Sequence, residues 1–529
     1  MRTLLVANRA EIARRIIRTA REMGLRTVAV YTSADQGAPH AKEADVSVPL
    51  HNGYLDGDEI VAAARRAGAD AVHPGYGFLS ENAAFAETCI AAGLTWIGPR
   101  PDTIRSMADK VRAKQLMASA GVPVLPGGDA SGAATVGFPV LVKAAAGGGG
   151  RGMRLVETPA ELGDALEAAA REAASSFGDG TVFVERWIAS PRHVEVQIVG
   201  DEHGTVVSLG DRDCSVQRRH QKVIEEAPAP GLPDLVRAAM AEAAVTGAKS
   251  LGYVGAGTFE FLVDGGEFFF LEMNTRLQVE HPVTEAVMGI DLVRLQLDIA
   301  AGLPLHLEEM ASSGHAVEAR LYAEDPAAGF LPSPGTVHRF RSGPTPNIRY
   351  DSGVEDGTEV PVFYDPMLAK VIAHGPTREE ATRRLARALR ELQVHGVRTN
   401  RDLLVGVLEH PDWIDANINT QFLDRHEGLE RTRIDVDRHV AAAVVSGAAG
   451  RRRDAAVLSF APPGWRNMPG SWQHASLEGE AGRVDVSYRI GGGPTVDVRV
   501  DGRELSGRVF ELSETIVDWE IDGLRHRLD

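Results

Sequence analysis

Cysteine is almost missing from this chain. Two of its 529 residues are cysteine, Cys89 and Cys214, far apart and in no metal-ligand spacing. That scarcity disfavours a secreted, disulfide-built fold and fits a reducing compartment. Positive charge is also in short supply, with 56 Lys and Arg against 73 Asp and Glu and a net charge of −17. A surface this acidic lacks the broad electropositive field of a non-specific nucleic-acid binder, though a local basic pocket for phosphates stays open. No apolar run approaches the ~20 residues of a membrane span. Met1 to Arg9 holds too short an apolar stretch for a signal peptide. Internal repeats and low-complexity tracts are absent. The expectation is a soluble cytoplasmic protein with neither nucleic-acid nor membrane partners.

What is present is ordinary globular material. Hydrophobic residues make up 44% and charged residues 24%, which argues against disorder. At ~150 residues per domain the length predicts roughly three to four domains. Glycine is the one excess, 56 residues, about 11% against a usual ~7%.

The N-terminal stretch alternates strand and helix: Leu4 to Ala7 a strand, Glu11 to Met23 a helix ended by Gly24, Thr27 to Tyr31 a strand, Ile60 to Ala67 a helix, Ala71-Val72 a strand. Such alternation predicts a parallel sheet with ligands beyond its carboxyl ends, where His73 to Asn82 falls. No G-x-G-x-x-G follows the first strand, so a dinucleotide is not expected. Gly121 to Val124 and Phe138 to Lys143 read as strands, Pro159 to Ala174 as a helix and Val182 to Ile188 as a strand. From Gly482 onward Val484, Val486, Tyr488 and Val496, Val498, Val500 alternate with polar residues, predicting a small antiparallel β module. The domains expected are 1–113, 114–204, 205–445 and 446–529.

Two stretches carry chemistry. Lys143 ends a strand and runs into Gly147-Gly148-Gly149-Gly150-Arg151-Gly152. Glycines let successive N–H groups turn toward one anion, and the lysine adds a point charge, so the pattern suits a phosphate cradle. A flexible linker would sit between domains with polar flanks, whereas this run abuts strands on both sides. It is not a Walker A loop, because no Gly-Lys-Ser/Thr closes it.

The second stretch runs from Thr258 to Asn274, two apolar strands joined by Asp264-Gly265-Gly266. A three-residue turn, Gly265 to Glu267, would pair Asp264 with Phe268 and, counting outward, Glu260 with Glu272 on one face at about 5 Å. A two-residue turn would put them on opposite faces. Opposed carboxylates are destabilising unless a cation lies between them. With Asn274 two residues on, they make an oxygen donor set suited to Mg²⁺ held jointly with nucleotide phosphates. The alternation continues through Arg276, Gln278 and Glu280, so an extended chain would carry all of these on one face; a surface strand could show the same pattern.

At Glu272 to Glu285 the sequence resembles the biotin carboxylases of the ATP-grasp superfamily. Ala7-Asn8-Arg9, His73 to Asn82, the glycine run and Arg212 to Lys222 resemble further motifs of that family, in the expected order, and the likeness spans residues 1 to about 445. It departs at Ala10, where Gly is usual, at Arg186, where Lys is common, and at Pro366, where Ser often stands. The resemblance implies an α/β and α+β architecture: a Rossmann-like N-terminal domain, an ATP-grasp fold with a mobile lid, a C-terminal biotin carboxylase lobe, then a small β-rich module. It implies ATP-dependent carboxylation of biotin by bicarbonate through carboxyphosphate. Lys110 and Lys143 would hold phosphates, Gly149 and Gly150 would close as a lid, and Glu185 and Ile188 would meet adenine through backbone groups. His193 and His220 would lie near the nucleotide, and Glu260, Glu272 and Asn274 would bind Mg²⁺ or Mn²⁺. Bicarbonate would sit against Lys222, Arg276, Gln278 and the Val279 N–H. Glu280 would be the general base, ionised near the ordinary pH of ~4.3, and Arg349 would stabilise the biotin enolate. The Arg18 and Glu22 helix face resembles the family's dimer contact, implying a homodimer or larger complex.

Two alternatives share parts of this pattern. Another ATP-grasp ligase would keep the lysines, the glycine run and the metal carboxylates but lack the Arg276 to Glu280 cluster. A catalytically inactive subunit that docks a carrier would lose Glu272, Lys222 or Glu280, and all three are present. Residues from about 450 resemble the bridging domain of acyl-CoA carboxylase α-chains. No Ala-Met-Lys-Met biotinylation motif occurs, so a biotin carboxyl carrier protein or domain and a carboxyltransferase subunit are expected in trans, or the chain has been shortened.

Overall fold

The computed structural model describes residues 1–129, 133–145, 153–306, 311–430, 436–457, 471–479, 482–490 and 494–528. They form two compact units, Met1–Arg431 and Thr432–Asp529.

The first unit opens with a parallel sheet of β1 (Thr3–Val6), β2 (Arg26–Tyr31), β3 (Val46–Pro49), β4 (Ala71–His73) and β5 (Thr95–Trp96), in the order β3-β2-β1-β4-β5. Every β1 residue is buried, as a strand covered on both faces must be. Helix α1 (Ala10–Glu22) buries Ile12, Ala13, Ile16, Ile17 and Ala20, its 3.6-residue stripe, and Gly24 leaves it at φ 74°. Its first residue, Ala10, sits at φ 54°, in the left-handed region that favours glycine.

Helix α2 (Lys110–Ser119) leads away from this sheet, capped by the Asp109 carboxylate on the Val111 and Arg112 N–H groups. Gly121 to Val124, expected as a strand, makes one isolated bridge from Val124 to Phe270, because Pro123 has no N–H to give a ladder. A small antiparallel sheet follows: β6 (Gly127–Gly128), β7 (Val140–Ala144), β8 (Arg154–Val156) and β9 (Val182–Arg186), ordered β6-β9-β7-β8. Helix α3 (Leu162–Phe177) buries Ala169 against Val140, Val142, Val156 and Val184 of that sheet. The glycine run, with Gly149 and Gly150, lies outside the described residues.

An eight-stranded antiparallel sheet forms the body of the unit. Its strands are β10 (Arg192–Gly200), β11 (Val206–Arg218), β12 (Gln221–Ala227), β13 (Gly255–Asp264), β14 (Glu267–Asn274), β15 (His315–Tyr322), β16 (Ile348–Ser352) and β17 (Met367–Gly375), ordered β14-β13-β10-β11-β12-β15-β17-β16. Helices α4 (His281–Met288) and α5 (Arg378–Glu391) follow β14 and β17 in the chain.

The β13–β14 hairpin reaches the expected pairing by an unexpected route. Asp264 pairs with Glu267, so the turn has two residues, Gly265 and Gly266, both at positive φ as a type I′ turn requires. Phe261 then pairs with Phe270 but Glu260 with Glu272, and Leu271 is the extra residue of a β-bulge between them. The bulge restores the face that the short turn would have reversed. The strand also stops at Asn274, and residues 275–280 turn into α4, so Arg276, Gln278 and Glu280 do not lie on an extended strand.

In the second unit, α6 (Val436–Arg453) packs Ala441, Ala442, Val444, Val445 and Ala448 against an antiparallel meander of β18 (Gln473–Gly479), β19 (Gly482–Ile490), β20 (Thr495–Val500), β21 (Arg503–Leu512), β22 (Val517–Ile521) and β23 (Leu524–Leu528). That helix runs across the boundary expected between residues 445 and 446. Among the described residues no helix is long and apolar enough to cross a membrane.

Candidate active site

The strongest concentration of buried charge lies on the central strands of the large sheet. Strand β10 alternates polar and apolar side chains even though it is buried on both faces. Along β10 the polar set is His193, Glu195 and Gln197. Glu195 stands opposite Arg212 on β11 and Glu260 on β13, and Glu260 stands opposite Glu272 on β14. One row of opposed residues therefore holds three carboxylates and a guanidinium.

Lys222, from β12, closes this row. Its Nζ donates to Glu195 Oε2 at 2.6 Å, Glu260 Oε1 at 2.8 Å and Glu280 Oε1 at 2.6 Å. Arg212, fully buried, donates to Glu195 at 2.6 Å, Gln197 at 2.8 Å, Thr258 at 3.1 Å and Thr284 at 2.8 Å. His193 Nε2 lies 2.8 Å from Glu260 Oε2. Burial alone would strip the charge from these groups; their partners retain it. Desolvation opposes the Lys222 ammonium, but the three carboxylates hold its pKa well above the ordinary lysine value. Desolvation also opposes the Glu280 charge, and Lys222, Arg320 and Arg212 outweigh it, holding Glu280 well below the ordinary carboxyl range. Glu280 is thus not the unperturbed base expected from sequence: it is ionised, and tightly engaged. Glu195 goes the other way, pushed up by burial and the nearby Glu280. Burial opposes the His193 imidazolium, but Glu260 raises it on balance.

The turn after β14 folds over this row. Asn274 Nδ2 and Gln278 Nε2 donate to Glu260 Oε1 at 2.7 and 2.9 Å, and Arg276 donates to Asn274 Oδ1 at 2.9 Å and Gln278 Oε1 at 2.7 Å. Glu81, from the loop after β4, accepts from Arg276 Nε at 2.9 Å and from the Thr275 N–H at 3.1 Å. Arg320 reaches Glu280 Oε2 at 3.0 Å, and Lys370 Nζ donates to the Val279 carbonyl at 2.7 Å. So the side chains of Lys222, Glu260, Asn274, Arg276, Gln278 and Glu280 form one connected network, with Val279 anchored beneath it.

The remaining expected residues lie around that network. Lys110 Nζ is 3.6 Å from Glu272. Lys143 Nζ lies 2.7 Å from Glu185 Oε2 in an ion pair, with the Lys114 ammonium against the other carboxylate oxygen. Burial and the nearby Lys110 lower Lys143 to about 8. Glu185 pairs with Gly127 and Leu141, which sets its backbone inside a sheet, whereas Ile188 lies just past the end of β9. His220 is exposed at the two-residue turn between β11 and β12, where it and Arg219 both have positive φ; burial, Lys143 and His193 lower its pKa. Arg349 donates to Glu285 Oε2 and Asp351 Oδ2, each at 2.6 Å, so it is held against α4 rather than joined to the Lys222 network.

Glu195, Arg320, Lys370, Glu81 and Lys114 were not singled out from sequence. A signal existed for three of them: Glu195, Arg320 and Lys370 are charged residues inside strands rich in apolar ones. Glu260, Glu272 and Asn274 suit a hard divalent cation. Two directly opposed carboxylates need positive charge between them, and turning the Asn274 amide would add a neutral oxygen.

Three family models match the chain in sequence order: the biotin carboxylase N-terminal domain over residues 1–104, the carbamoyl-phosphate synthase L chain ATP-binding domain over 109–308, and the biotin carboxylase C-terminal domain over 318–425. A biotin carboxylase of Halalkalibacterium halodurans is 48% identical over 440 residues, 80% of this chain and 97% of that protein. The chain belongs to the biotin carboxylase family.

The mitochondrial methylcrotonoyl-CoA carboxylase subunit alpha of Oryza sativa subsp. japonica is 50% identical over 443 residues, and this chain spans 60% of its length. A solved structure of the Hydrogenobacter thermophilus 2-oxoglutarate carboxylase biotin carboxylase domain dimer, in complex with MgADP, ADP and bicarbonate, superposes with a TM-score of 0.79 at 41% identity, covering 82% of this chain and 99% of that one. The fold is thus that of the ATP-grasp biotin carboxylases, with a parallel N-terminal sheet and a large antiparallel sheet.

Proposed function

We propose that this chain carboxylates biotin, using ATP and bicarbonate through carboxyphosphate, on a biotin carboxyl carrier protein or domain, as the first half-reaction of an acyl-CoA carboxylase. The observation that carries the reading is the Lys222 ammonium held among three carboxylates with Arg276 and Gln278 beside it.

In this reading Lys110 and Lys143 hold the nucleotide's phosphates, Glu185 and Ile188 flank adenine, and His193 and His220 border the nucleotide, with Gly149 and Gly150 covering it. Glu260, Glu272 and Asn274 would hold Mg²⁺ or Mn²⁺, which would supply positive charge to offset that of phosphoryl transfer. Bicarbonate lies against Lys222, Arg276, Gln278 and the Val279 N–H. An anion arriving there draws Lys222 away from Glu280. Losing that cation raises the proton affinity of Glu280, so binding of the substrate itself converts a held carboxylate into a base. Arg349 serves the biotin ureido oxygen as negative charge develops on it; to do so it must give up part of its bonding to Asp351 or Glu285. A carboxyltransferase, a homodimeric or larger assembly and a cytoplasmic location complete the proposal.

ADP release measured with and without bicarbonate and free biotin tests it. Biotin should raise bicarbonate-dependent turnover, and Glu280→Gln should abolish the increase. Turnover indifferent to biotin, with Glu280→Gln fully active, would sink the reading.

A further inference from the structure

Beneath the turn that carries Glu280, β12, β15 and β17 present a second charged layer. Glu225 on β12 stands directly opposite Glu318 on β15, and Arg320, two residues along β15, stands opposite Lys370 on β17. Glu225, Glu318 and Lys370 have no exposed surface, and Arg320 has 7%. Arg320 Nε donates to Glu225 Oε1 at 2.5 Å, and its terminal nitrogen reaches Glu280 Oε2 at 3.0 Å. Lys370 donates to the Val279 carbonyl at 2.7 Å and lies 3.4 Å from Glu11. Among the described residues neither Glu318 oxygen has a hydrogen-bond partner, nor does Glu225 Oε2.

Two opposed carboxylates at full burial cannot both remain ionised when one has no cation bonded to it. Building on the function proposed above, we infer that Glu225 and Glu318 hold one proton between them and that the pair, through Arg320, positions Glu280 and sets its strength as a base. The proton sits on Glu318, which no cation bonds, and the charge on Glu225, which Arg320 does bond. Arg320 is therefore divided between two carboxylates. With Glu225 as a competitor it holds Glu280 in place without claiming it wholly. Glu225 and Glu318 touch no reactant in this scheme; they are positioning residues.

The electrostatic directions agree. Burial pushes Glu318 well above the ordinary carboxyl range, with Glu225 and Glu280 adding to it and Lys370 and Arg320 opposing. Burial also raises Glu225, to about 7, against Arg320 and Lys222 and with Glu280. The charged groups facing Glu280 itself include Lys222 on β12, Arg320 on β15, Arg212 on β11 and Arg276 in the turn after β14; the Cys214 thiol on β11 lies 4.0 Å from Glu280 Oε1, and Glu195 on β10 also bonds Lys222 and Arg212.

Three variants and two readouts test the inference. Infrared difference spectroscopy of the full chain without substrates should show a carboxylic acid C=O band that disappears in Glu318→Gln. In turnover, Glu318→Gln should keep kcat and its pH profile, because a glutamine replaces a neutral acid. Glu225→Gln should leave Arg320 to Glu280 alone, lowering kcat about tenfold, the equivalent of roughly one pKa unit of lost basicity, with KM for ATP unchanged. Glu225→Asp should recover part of that loss. A spectrum with no acid band assignable to Glu318, or a Glu318→Gln enzyme displaced as far as Glu225→Gln, would overturn the inference. The infrared arm needs no turnover, so it decides the proton on Glu318 even if wild type fails to carboxylate biotin.

Discussion

Lys222 is the residue on which the balance of the site rests, because its one ammonium offsets Glu195, Glu260 and Glu280. Replacing one partner of a buried ion pair leaves the others uncompensated, at a cost of about 3–5 kcal/mol. Lys222→Met should therefore lower unfolding free energy by about that amount in a denaturant titration, as well as abolish turnover, and an unchanged midpoint would refute the buried network. Lys143 supplies a pH dependence of known sign. It is lowered to about 8, mainly by burial, and a phosphate beside it would raise it again. Nucleotide binding near pH 8 should then take up protons, and affinity should fall as pH climbs past that value; calorimetry in buffers of differing ionisation enthalpy reads the uptake directly. Ala10, at φ 54°, carries left-handed strain of about 1–2 kcal/mol that glycine avoids, offset in part by glycine's freer unfolded chain. Ala10→Gly should stabilise the protein by about 0.5–1 kcal/mol in the same titration. Single residues were readable in sequence where a motif carried them, as with Lys222, Glu260 and Glu280. Arg320 and Lys370 stood out only as charges within apolar-rich strands, because their meaning depends on strands distant in the chain that stand side by side only in the fold.

At the scale of elements, the β13–β14 hairpin shows what sequence spacing can and cannot convey. The Asp-Gly-Gly turn and the opposition of Glu260 and Glu272 were predictable, whereas the turn length was not, since a bulge at Leu271 compensates for a turn one residue shorter. A bulge is an agreement between two strands and leaves no signature in either alone. Likewise, the alternation from Glu272 to Glu280 looks like a strand, yet the chain turns after Asn274 because α4 begins at His281 with Pro282 in its first turn. The hairpin makes a direct prediction. Gly265 and Gly266 have φ of 55° and 94°, so Gly266→Val should cost about 1–2 kcal/mol and weaken Mn²⁺ binding, monitored by paramagnetic resonance, by loosening the pairing that opposes the two carboxylates. Retained stability and affinity would mean that the turn does not hold that register.

At the scale of the whole molecule, the parallel N-terminal sheet and the β-rich end follow from hydrophobic periodicity alone, which is strong over contiguous residues. The eight-stranded sheet does not, because its order joins segments as far apart as β10 and β17, and long-range pairing has no local trace. All described residues of the proposed site lie in the unit Met1–Arg431, and α6 builds its own core with the C-terminal meander. A chain ending at Arg431 should therefore keep bicarbonate-dependent turnover of free biotin. The central claim is that carbon passes from bicarbonate to biotin at the Lys222–Glu280 centre, and the most direct measurement is the transfer of labelled carbon from bicarbonate to free biotin. The account predicts acid-labile label on biotin that requires ATP and Mg²⁺ and is lost in Glu280→Gln while nucleotide binding persists. ATP consumed with no label on biotin, or undiminished label in Glu280→Gln, would contradict it.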